Sequence, residues 1–177
     1  FRFAMIAAGG GGRGVAQAVQ ATGQLVAQGL DVALYLAAPA MPAATVERLA
    51  ATHAWLHFDD AGEGAAAFLS GKHALLMPAV GAPPGASLLV EAMAAGLPAV
   101  LGDSRTLRAA AGEAALLARA HDSRDLAWQM ARVALDELLW HRLARAGRAM
   151  SICGRAAAAM CKASSDRFTP GAITPPT

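Results

Sequence analysis

A run of glycines near the start of the chain is the first candidate for chemistry. Gly9, Gly11 and Gly14 have the spacing G-x-G-x-x-G, and they lie between an apolar segment and a helical one. This context suits a loop whose backbone approaches a phosphate at the N-terminus of a helix. The same spacing occurs in dinucleotide-binding domains, and glycines can also simply form a tight turn.

Two features count against a nicotinamide dinucleotide. The second apolar segment ends in Leu36, Ala37 and Ala38, so it lacks the acidic residue that binds a ribose hydroxyl in such domains. The helix after the glycines also extends to about Gln28, which is longer than that motif usually permits. A glycine loop beside a phosphate is therefore the preferred interpretation, and an NAD-binding domain is kept as a third alternative.

Other reactive side chains form no recognisable pattern. Ser87 and Ser104 have no G-x-S-x-G context and no nearby His/Asp pattern, so a serine hydrolase is not indicated. His53 and His57 lack the spacing of metal ligands. We therefore expect no metal site and no cofactor.

Short apolar segments alternate with helical segments along nearly the whole chain. Six strands are predicted, at Phe3–Ala8, Asp31–Ala37, Ala54–Phe58, Ala74–Pro78, Ala99–Leu101 and Ala114–Ala118. Seven helices are predicted, at Gly14–Gln28, Thr45–Thr52, Gly62–Ser70, Ser87–Ala95, Thr106–Ala111, Ser123–Leu135 and Glu137–Lys162. This alternation is typical of a parallel sheet with helices on both faces.

In a parallel sheet, ligands bind at the carboxyl ends of the strands, near the point where the strand order reverses. Four loops are expected to converge there: Gly9–Arg13, Asp59–Glu63, Gly81–Ser87 and Gly102–Arg105.

Several side chains have predicted structural roles. Thr45 is a candidate N-cap of the second helix, and Asp122 with Asp125 resembles an N-terminal capping pair. Trp128 and Trp140 are expected to pack between helices.

Composition excludes some classes of function. The chain has 177 residues, which suits one domain, and a net charge of +2. Its basic residues are scattered before the last helix, so no nucleic-acid-binding patch is indicated. No apolar run is long enough for a membrane span. The opening segment Phe1–Ile6 already has the character of a strand, and we therefore expect a further portion upstream.

The segment Glu91–Val100 reads E-A-M-A-A-G-L-P-A-V. It resembles, without a gap, the E-A-M-A-x-G-x-P-V-V segment of retaining GT-B glycosyltransferases of the large Glu-x7-Glu family (glycosyl transferases group 1). Arg13, Gly14 and Val15 match a Lys-Gly-Val that often follows the first strand in that family. The resemblance covers about residues 3–150.

The resemblance implies one half of a GT-B fold: a Rossmann-like three-layer α/β/α sandwich with a mainly parallel sheet of about six strands. Residues 1–163 would form the nucleotide-sugar-binding domain and residues 164–177 a mobile tail. An N-terminal acceptor domain would lie outside this chain.

The resemblance also implies a donor site at the start of the Ser87 helix. The helix dipole and the free N–H groups there can hold a diphosphate, and Arg13 can add a fork of donors. Glu91 would accept hydrogen bonds from the ribose hydroxyls. The predicted substrate-binding residues are Glu91, Gly85, Ala86, Ser87, Leu88, Arg13, Gly11 and Gly12.

The chain departs from the family at the first glutamate of the motif. That position, eight residues before Glu91, is Pro83, and the following Gly-Phe-Gly is Pro84-Gly85-Ala86. Catalytic residues are therefore left unassigned.

The predicted function is transfer of a sugar from a UDP- or GDP-sugar to an acceptor hydroxyl with retention. The isolated domain is expected to be inactive, and the acceptor, a glycan or a lipid-linked glycan, is not specified. The alternative is a non-catalytic nucleotide-binding or interaction module derived from such an enzyme. We expect a cytoplasmic location, with peripheral membrane contact as an option. Arg142, Arg145, Arg148 and Arg155 are interpreted as a solvated helix face.

Overall fold

The structure is a computed structural model. It describes residues 1–7, 12–59, 62, 64–78 and 86–165, with side chains described over 1–7, 14–59, 62, 64–78 and 87–152. The strands are β1 (Arg2–Ile6), β2 (Ala33–Ala37), β3 (Leu56–Phe58), β4 (Ala74–Met77), β5 (Ala99–Gly102) and β6 (Ala115–Ala118). The helices are α1 (Gly12–Ala27), α2 (Ala43–Thr52), α3 (Ala65–Leu69), α4 (Ala86–Ala94), α5 (Arg105–Ala111), α6 (Ser123–Leu135) and α7 (Glu137–Ser165).

The six strands form one sheet in the order β3-β2-β1-β4-β5-β6, and every pairing is parallel. The strand order reverses between β1 and β4, which are neighbours although two strands separate them along the chain. The prediction of a Rossmann-like α/β/α sandwich with a mainly parallel sheet of about six strands is confirmed.

Side chains alternate between two apolar layers, one on each face of the sheet. In β1, Phe3 and Met5 face the layer that holds α1 and α6, whereas Ala4 faces the layer that holds α3, α4 and α5. All four residues of β4 are buried, as expected for a central strand covered on both faces. α7 begins against the first layer and continues onto the second, where Met150 packs.

Glycines end the two helices that begin beside the strand-order reversal. Gly29 follows α1 with φ +84°, and Gly96 follows α4 with φ +76°. At α4, the Gly96 N–H bonds the Met93 carbonyl at 3.0 Å, and the Leu97 N–H bonds the Ala92 carbonyl at 2.9 Å. This Schellman pattern requires a left-handed residue, which glycine adopts without a steric penalty.

Two predictions about single residues are wrong. Thr45 does not cap α2, because the helix already begins at Ala43 and Pro42 occupies the N-cap position. The φ of Pro42, −58°, matches the entry into a helix. Trp128 is 63% exposed on α6, so it does not pack between helices. Trp140 is partly buried, and its indole N–H donates to the His73 carbonyl at 2.8 Å.

Candidate functional site

Two helices begin at the same edge of the sheet, one on each face. α1 follows β1 and lies on the first face, while α4 follows β4 and lies on the second. Since β1 and β4 are adjacent and parallel, the N-termini of α1 and α4 flank the point where the strand order reverses. Free N–H groups and the positive ends of two helix dipoles thus lie at one edge of the sheet, which suits an anion.

α4 has a buried side and an exposed side. Leu88 and Leu89 are buried in the second layer, whereas Ser87 and Glu91 are exposed. Residues four apart lie on one face of a helix, so Ser87 and Glu91 form a single exposed ridge. Helical side chains lean toward the N-terminus, so we expect the Glu91 carboxylate on the side of the first turn of α4. The Leu88 side chain is buried, so only its backbone N–H is available to a ligand at the start of α4.

The remaining predicted site residues fall in or beside the loops. Gly11 and Gly85 lie outside the described residues. Gly12, Arg13 and Ala86 are described as helical backbone, at the first turns of α1 and α4. The structure thus places the described backbone of Gly12, Arg13 and Ala86 at the same edge.

Asp103 is an acidic residue near this edge whose charge is paired. At the end of β5, the Asp103 carboxylate accepts from Arg108 Nε at 3.2 Å and from a terminal nitrogen at 2.5 Å. The hydrogen bonds that Arg108 donates to Asp103, together with the charge of that carboxylate, raise the pKa of the Arg108 guanidinium above its ordinary value. The pairing leaves less net negative charge to oppose a phosphate.

The acidic side chains that follow β6 also have hydrogen-bond partners. Asp122 accepts from the N–H groups of Arg124 and Asp125, each at 3.0 Å, which confirms its part of the predicted capping pair. The reciprocal bond of the pair is not formed, because the Asp122 N–H donates to the Arg119 carbonyl. The hydrogen bonds that its carboxylate accepts hold the pKa of Asp122 below its ordinary value. Asp125 in turn accepts from the Arg119 N–H at 2.6 Å. Both carboxylates therefore accept backbone hydrogen bonds, Asp122 from the first turn of α6 and Asp125 from the residue after β6.

The turn after β3 is part of the same edge but lies two strands from β1. The Asp59 carboxylate lies 3.5 Å from Lys72 Nζ, and that ammonium lies 4.3 Å from the ring centroid of Tyr35. This pairing was not predicted from the sequence, because Lys72 is thirteen residues away in the chain. The Asp59 turn therefore lies farther from the β1–β4 boundary than the N-termini of α1 and α4.

Two further properties of the described ranges bear on function. Among the side chains that the structure describes, no group of three or more His, Cys, Asp or Glu could hold a metal ion. Within the same part of the chain, no helix is long and apolar enough to cross a membrane. Arg142, Arg145 and Arg148 are exposed on α7, while the side chain of Arg155 lies outside the described residues.

No protein-family model matches the sequence, and no curated protein matches it. Solved structures do match. HepE from Anabaena, solved in complex with UDP-glucose, aligns with a TM-score of 0.72 at 14% identity over 85% of this chain and 43% of that chain. The C-terminal domain of LpcC from Francisella tularensis, a glycosyl transferase group 1 family protein, aligns with a TM-score of 0.67 at 13% identity. The fold is that of the C-terminal domain of a GT-B glycosyltransferase.

The extent of these alignments shows which part of a GT-B protein is similar. The alignment covers 86% of this chain and 85% of the LpcC domain. Sucrose-phosphate synthase from Thermosynechococcus elongatus aligns with a TM-score of 0.65 at 19% identity, over 86% of this chain but 41% of that chain. The chain thus spans less than half the length of the larger neighbours, HepE and the synthase, and nearly the whole of an isolated C-terminal domain.

Proposed function

We propose that this chain is the donor-binding domain of a retaining glycosyltransferase and that it binds a UDP- or GDP-linked sugar. The observation on which the proposal depends is the position of two helix N-termini: those of α1 and α4 lie beside the β1–β4 boundary, on opposite faces of the sheet. The diphosphate binds there, against the amides of Gly12 and of Gly85–Leu88, with Arg13 and Gly11 on the α1 side. Glu91, on the exposed ridge of α4, accepts hydrogen bonds from the ribose hydroxyls.

The chemistry follows from the charge of the leaving group. When the bond between the anomeric carbon and the diphosphate breaks, the diphosphate leaves with the electron pair and gains negative charge. Helix N-termini and Arg13 stabilise that charge more in the transition state than in the bound donor, and this difference accelerates the reaction. The acceptor hydroxyl bonds to the anomeric carbon on the same face, and its proton passes to the leaving diphosphate.

A second domain completes the proposed enzyme. Since the chain aligns with 43% of HepE, we propose that an N-terminal GT-B domain supplies the acceptor site and closes over the donor. Closure of a two-domain cleft excludes water and completes the catalytic site. The domain alone should therefore bind the nucleotide and transfer little.

A non-catalytic nucleotide-binding module is the second candidate, and Pro83 favours it. Pro83 stands where the family motif has its first glutamate and lies outside the described residues. Assays of sugar transfer and donor hydrolysis with the two-domain protein separate the candidates, because a module binds UDP or GDP without either reaction. The third candidate, an NAD-binding domain, gains no support from β2, which ends at Ala37 without an acidic residue.

The binding proposal is tested with UDP, GDP and ADP, measured by calorimetry on the 177-residue chain. We expect one diphosphate to bind, and the Glu91→Ala variant to bind it about 10- to 100-fold more weakly, since hydrogen bonds to a charged group are lost. Glu47→Ala is the matched control, because Glu47 is also an exposed helical glutamate. Binding of none of the three, or equal affinity in both variants, contradicts the proposal.

A further inference from the structure

The large apolar side chains that are exposed in the described part of the chain lie on two consecutive helices. Trp128 and Leu135 are 63% and 72% exposed on α6, and Leu138 and Ile152 are also exposed, on α7. Single exposed apolar residues are ordinary on a protein surface, but several on one part of it mark an interaction site. The outer sides of α6 and α7 are therefore the candidate surface.

The exposed side of α6 combines apolar residues with arginines. Leu135 lies seven residues after Trp128, and Arg124 and Arg132 each lie four residues from Trp128, so the four side chains share one face of the helix. All four are exposed, whereas the opposite face of α6 is buried and packs toward α1. We call this exposed face, formed by Arg124, Trp128, Arg132 and Leu135, the Trp128 stripe.

The two arginines of the stripe form no ion pair among the side chains that the structure describes. Arg132 donates to the neutral amide oxygen of Gln129 at 3.0 Å. Asp125 follows Arg124 in the chain, but its carboxylate lies 3.6 Å from the Nε atom of Arg119. The guanidinium charges of the stripe are thus available to an anionic partner.

The start of α7 has the same composition as the stripe. Leu138 lies three residues after Leu135, across the break between the two helices. Arg142 and Arg145 follow Leu138 by four and seven residues, and all three are exposed on one face of α7. The alternation of large apolar residues with arginines therefore extends beyond α6.

Two acidic residues lie where α6 meets α7, and both have partners within α7. The Asp136 carboxylate accepts from the Leu139 N–H at 2.9 Å, and the Glu137 carboxylate lies 3.5 Å from the Nε2 atom of His141. The four exposed arginines of the two helix faces outnumber these two carboxylates. Because the acidic residues are at the junction, the positive charge is centred nearer to Trp128 than to Leu138.

We propose that the Trp128 stripe binds an anionic lipid surface. The Trp128 indole and the Leu135 side chain enter the boundary between headgroups and acyl chains, where tryptophan is favoured. The stems of Arg124 and Arg132 lie along this apolar surface, while their guanidinium groups donate to lipid phosphates. The stripe is on the outer side of a helix that covers one face of the sheet, so binding leaves the carboxyl edge of the sheet accessible. The inference goes beyond the proposed function, because it does not require a nucleotide.

A protein partner fits the stripe less well than a lipid surface. Stable protein interfaces bury about 800 Å² on each partner around an apolar core from which charged residues are depleted. On the stripe, in contrast, an arginine lies one turn to either side of Trp128, along a single convex helix face. A layer of phosphates satisfies both arginines without a specific acidic partner for each.

The experiment measures co-sedimentation of the 177-residue chain, and of the two-domain protein, with vesicles of phosphatidylcholine alone or with added phosphatidylglycerol. We expect binding to the anionic vesicles, weaker at high salt. Arg132→Gln should bind about fivefold more weakly, the loss expected for one arginine near an anionic surface. Trp128→Ser should bind about tenfold or more weakly, since its apolar area no longer enters the interface.

Arg48→Gln is the matched control. It also removes one exposed arginine from a helix, but α2 packs at β3, at the opposite edge of the sheet from β6. We expect it to bind the vesicles like the wild type. Thermal unfolding should give the same Tm for each variant and the wild type, because the substituted side chains are exposed.

Tryptophan fluorescence with brominated lipids gives a second measurement. Brominated acyl chains quench an indole that enters the interface, and Trp128 is exposed whereas Trp55 and Trp140 are partly buried. We expect the anionic vesicles to quench the wild type and Trp128→Phe to lose most of this quenching. Equal quenching of Trp128→Phe and the wild type would show that another surface enters the bilayer, and the inference would be wrong.

Several outcomes of the vesicle assay would overturn the inference. One is that the wild type binds neither kind of vesicle or binds both equally. Another is that Arg48→Gln loses as much affinity as Arg132→Gln, which would assign binding to the overall charge. If only the shorter chain binds, a further domain covers the stripe, and if light scattering shows a dimer that Trp128→Ser abolishes while no vesicle is bound, a second copy covers it. The affinity for UDP and GDP, measured separately, tests the proposed function independently of these results.

Discussion

Leu89 anchors the helix that carries Glu91, so Leu89→Ala tests whether α4 is docked as described. Leu89 is fully buried in the second apolar layer, two residues before the exposed Glu91. The substitution removes three carbon atoms, worth about 2.4 kcal/mol of transfer free energy at ~0.8 kcal/mol each. The cavity left behind adds to this loss, so we expect the free energy of unfolding to fall by about 3–4 kcal/mol.

Urea unfolding followed by far-UV circular dichroism measures this loss. For a slope near 2 kcal/mol/M, the midpoint should fall by about 1.5–2 M while the slope is unchanged. Glu91→Ala serves as the control, because an exposed side chain without a structural role changes stability by about 0.5 kcal/mol or less. A loss below about 1 kcal/mol for Leu89→Ala would show that α4 does not bury Leu89 against the sheet, and the position of its N-terminus would lose its basis.

Two further predictions concern a helix end and a histidine. Gly96→Ala should lower the free energy of unfolding by about 1–2 kcal/mol, because φ is +76° at this position. Gly23→Ala should raise it by about 0.5–1 kcal/mol, because its new Cβ would lie in α1 at an ordinary contact distance, 3.4 Å, from the Trp55 ring. A change of the same sign for both variants in thermal unfolding would contradict these expectations. Burial and nearby positive charges hold the pKa of His73 below 6.5, so the unfolded chain binds more protons just below that pH and stability should fall as the pH drops from 6.5 toward the folded pKa. His73→Gln should reduce the fall in Tm between pH 7.5 and 5.5, and the control variant His141→Gln should leave it unchanged. If both variants show the same pH dependence of Tm, His73 does not cause the loss of stability.

The sequence predicted most elements because their signals are local. The strands of the central sheet are short apolar runs between glycines and prolines, and α6 was placed at Ser123–Leu135, the bounds that the structure gives. The ends of α1 and α4 follow from Gly29 and Gly96, which adopt the positive φ that the helix ends require. The order of the strands depends on contacts between distant segments, so the sequence indicated a parallel sheet without giving its order.

The failures have physical causes as well. Thr45 was predicted as an N-cap from its residue type, but Pro42 already fixes a backbone angle suited to the start of the helix. Trp128 was expected to be buried because it is large and aromatic, yet α6 turns this side chain outward.

The central claim is that one diphosphate lies between the N-termini of α1 and α4, and amide chemical shifts of the ¹⁵N-labelled chain test it most directly. During a titration with UDP or GDP, we expect the largest saturable shifts at residues 12–15 and 86–89 together, because both helix starts contact the same ligand. The control positions are residues 46–50 of α2, which should not respond. Saturable shifts confined to other parts of the sheet, or at one helix start without the other, would contradict the claim.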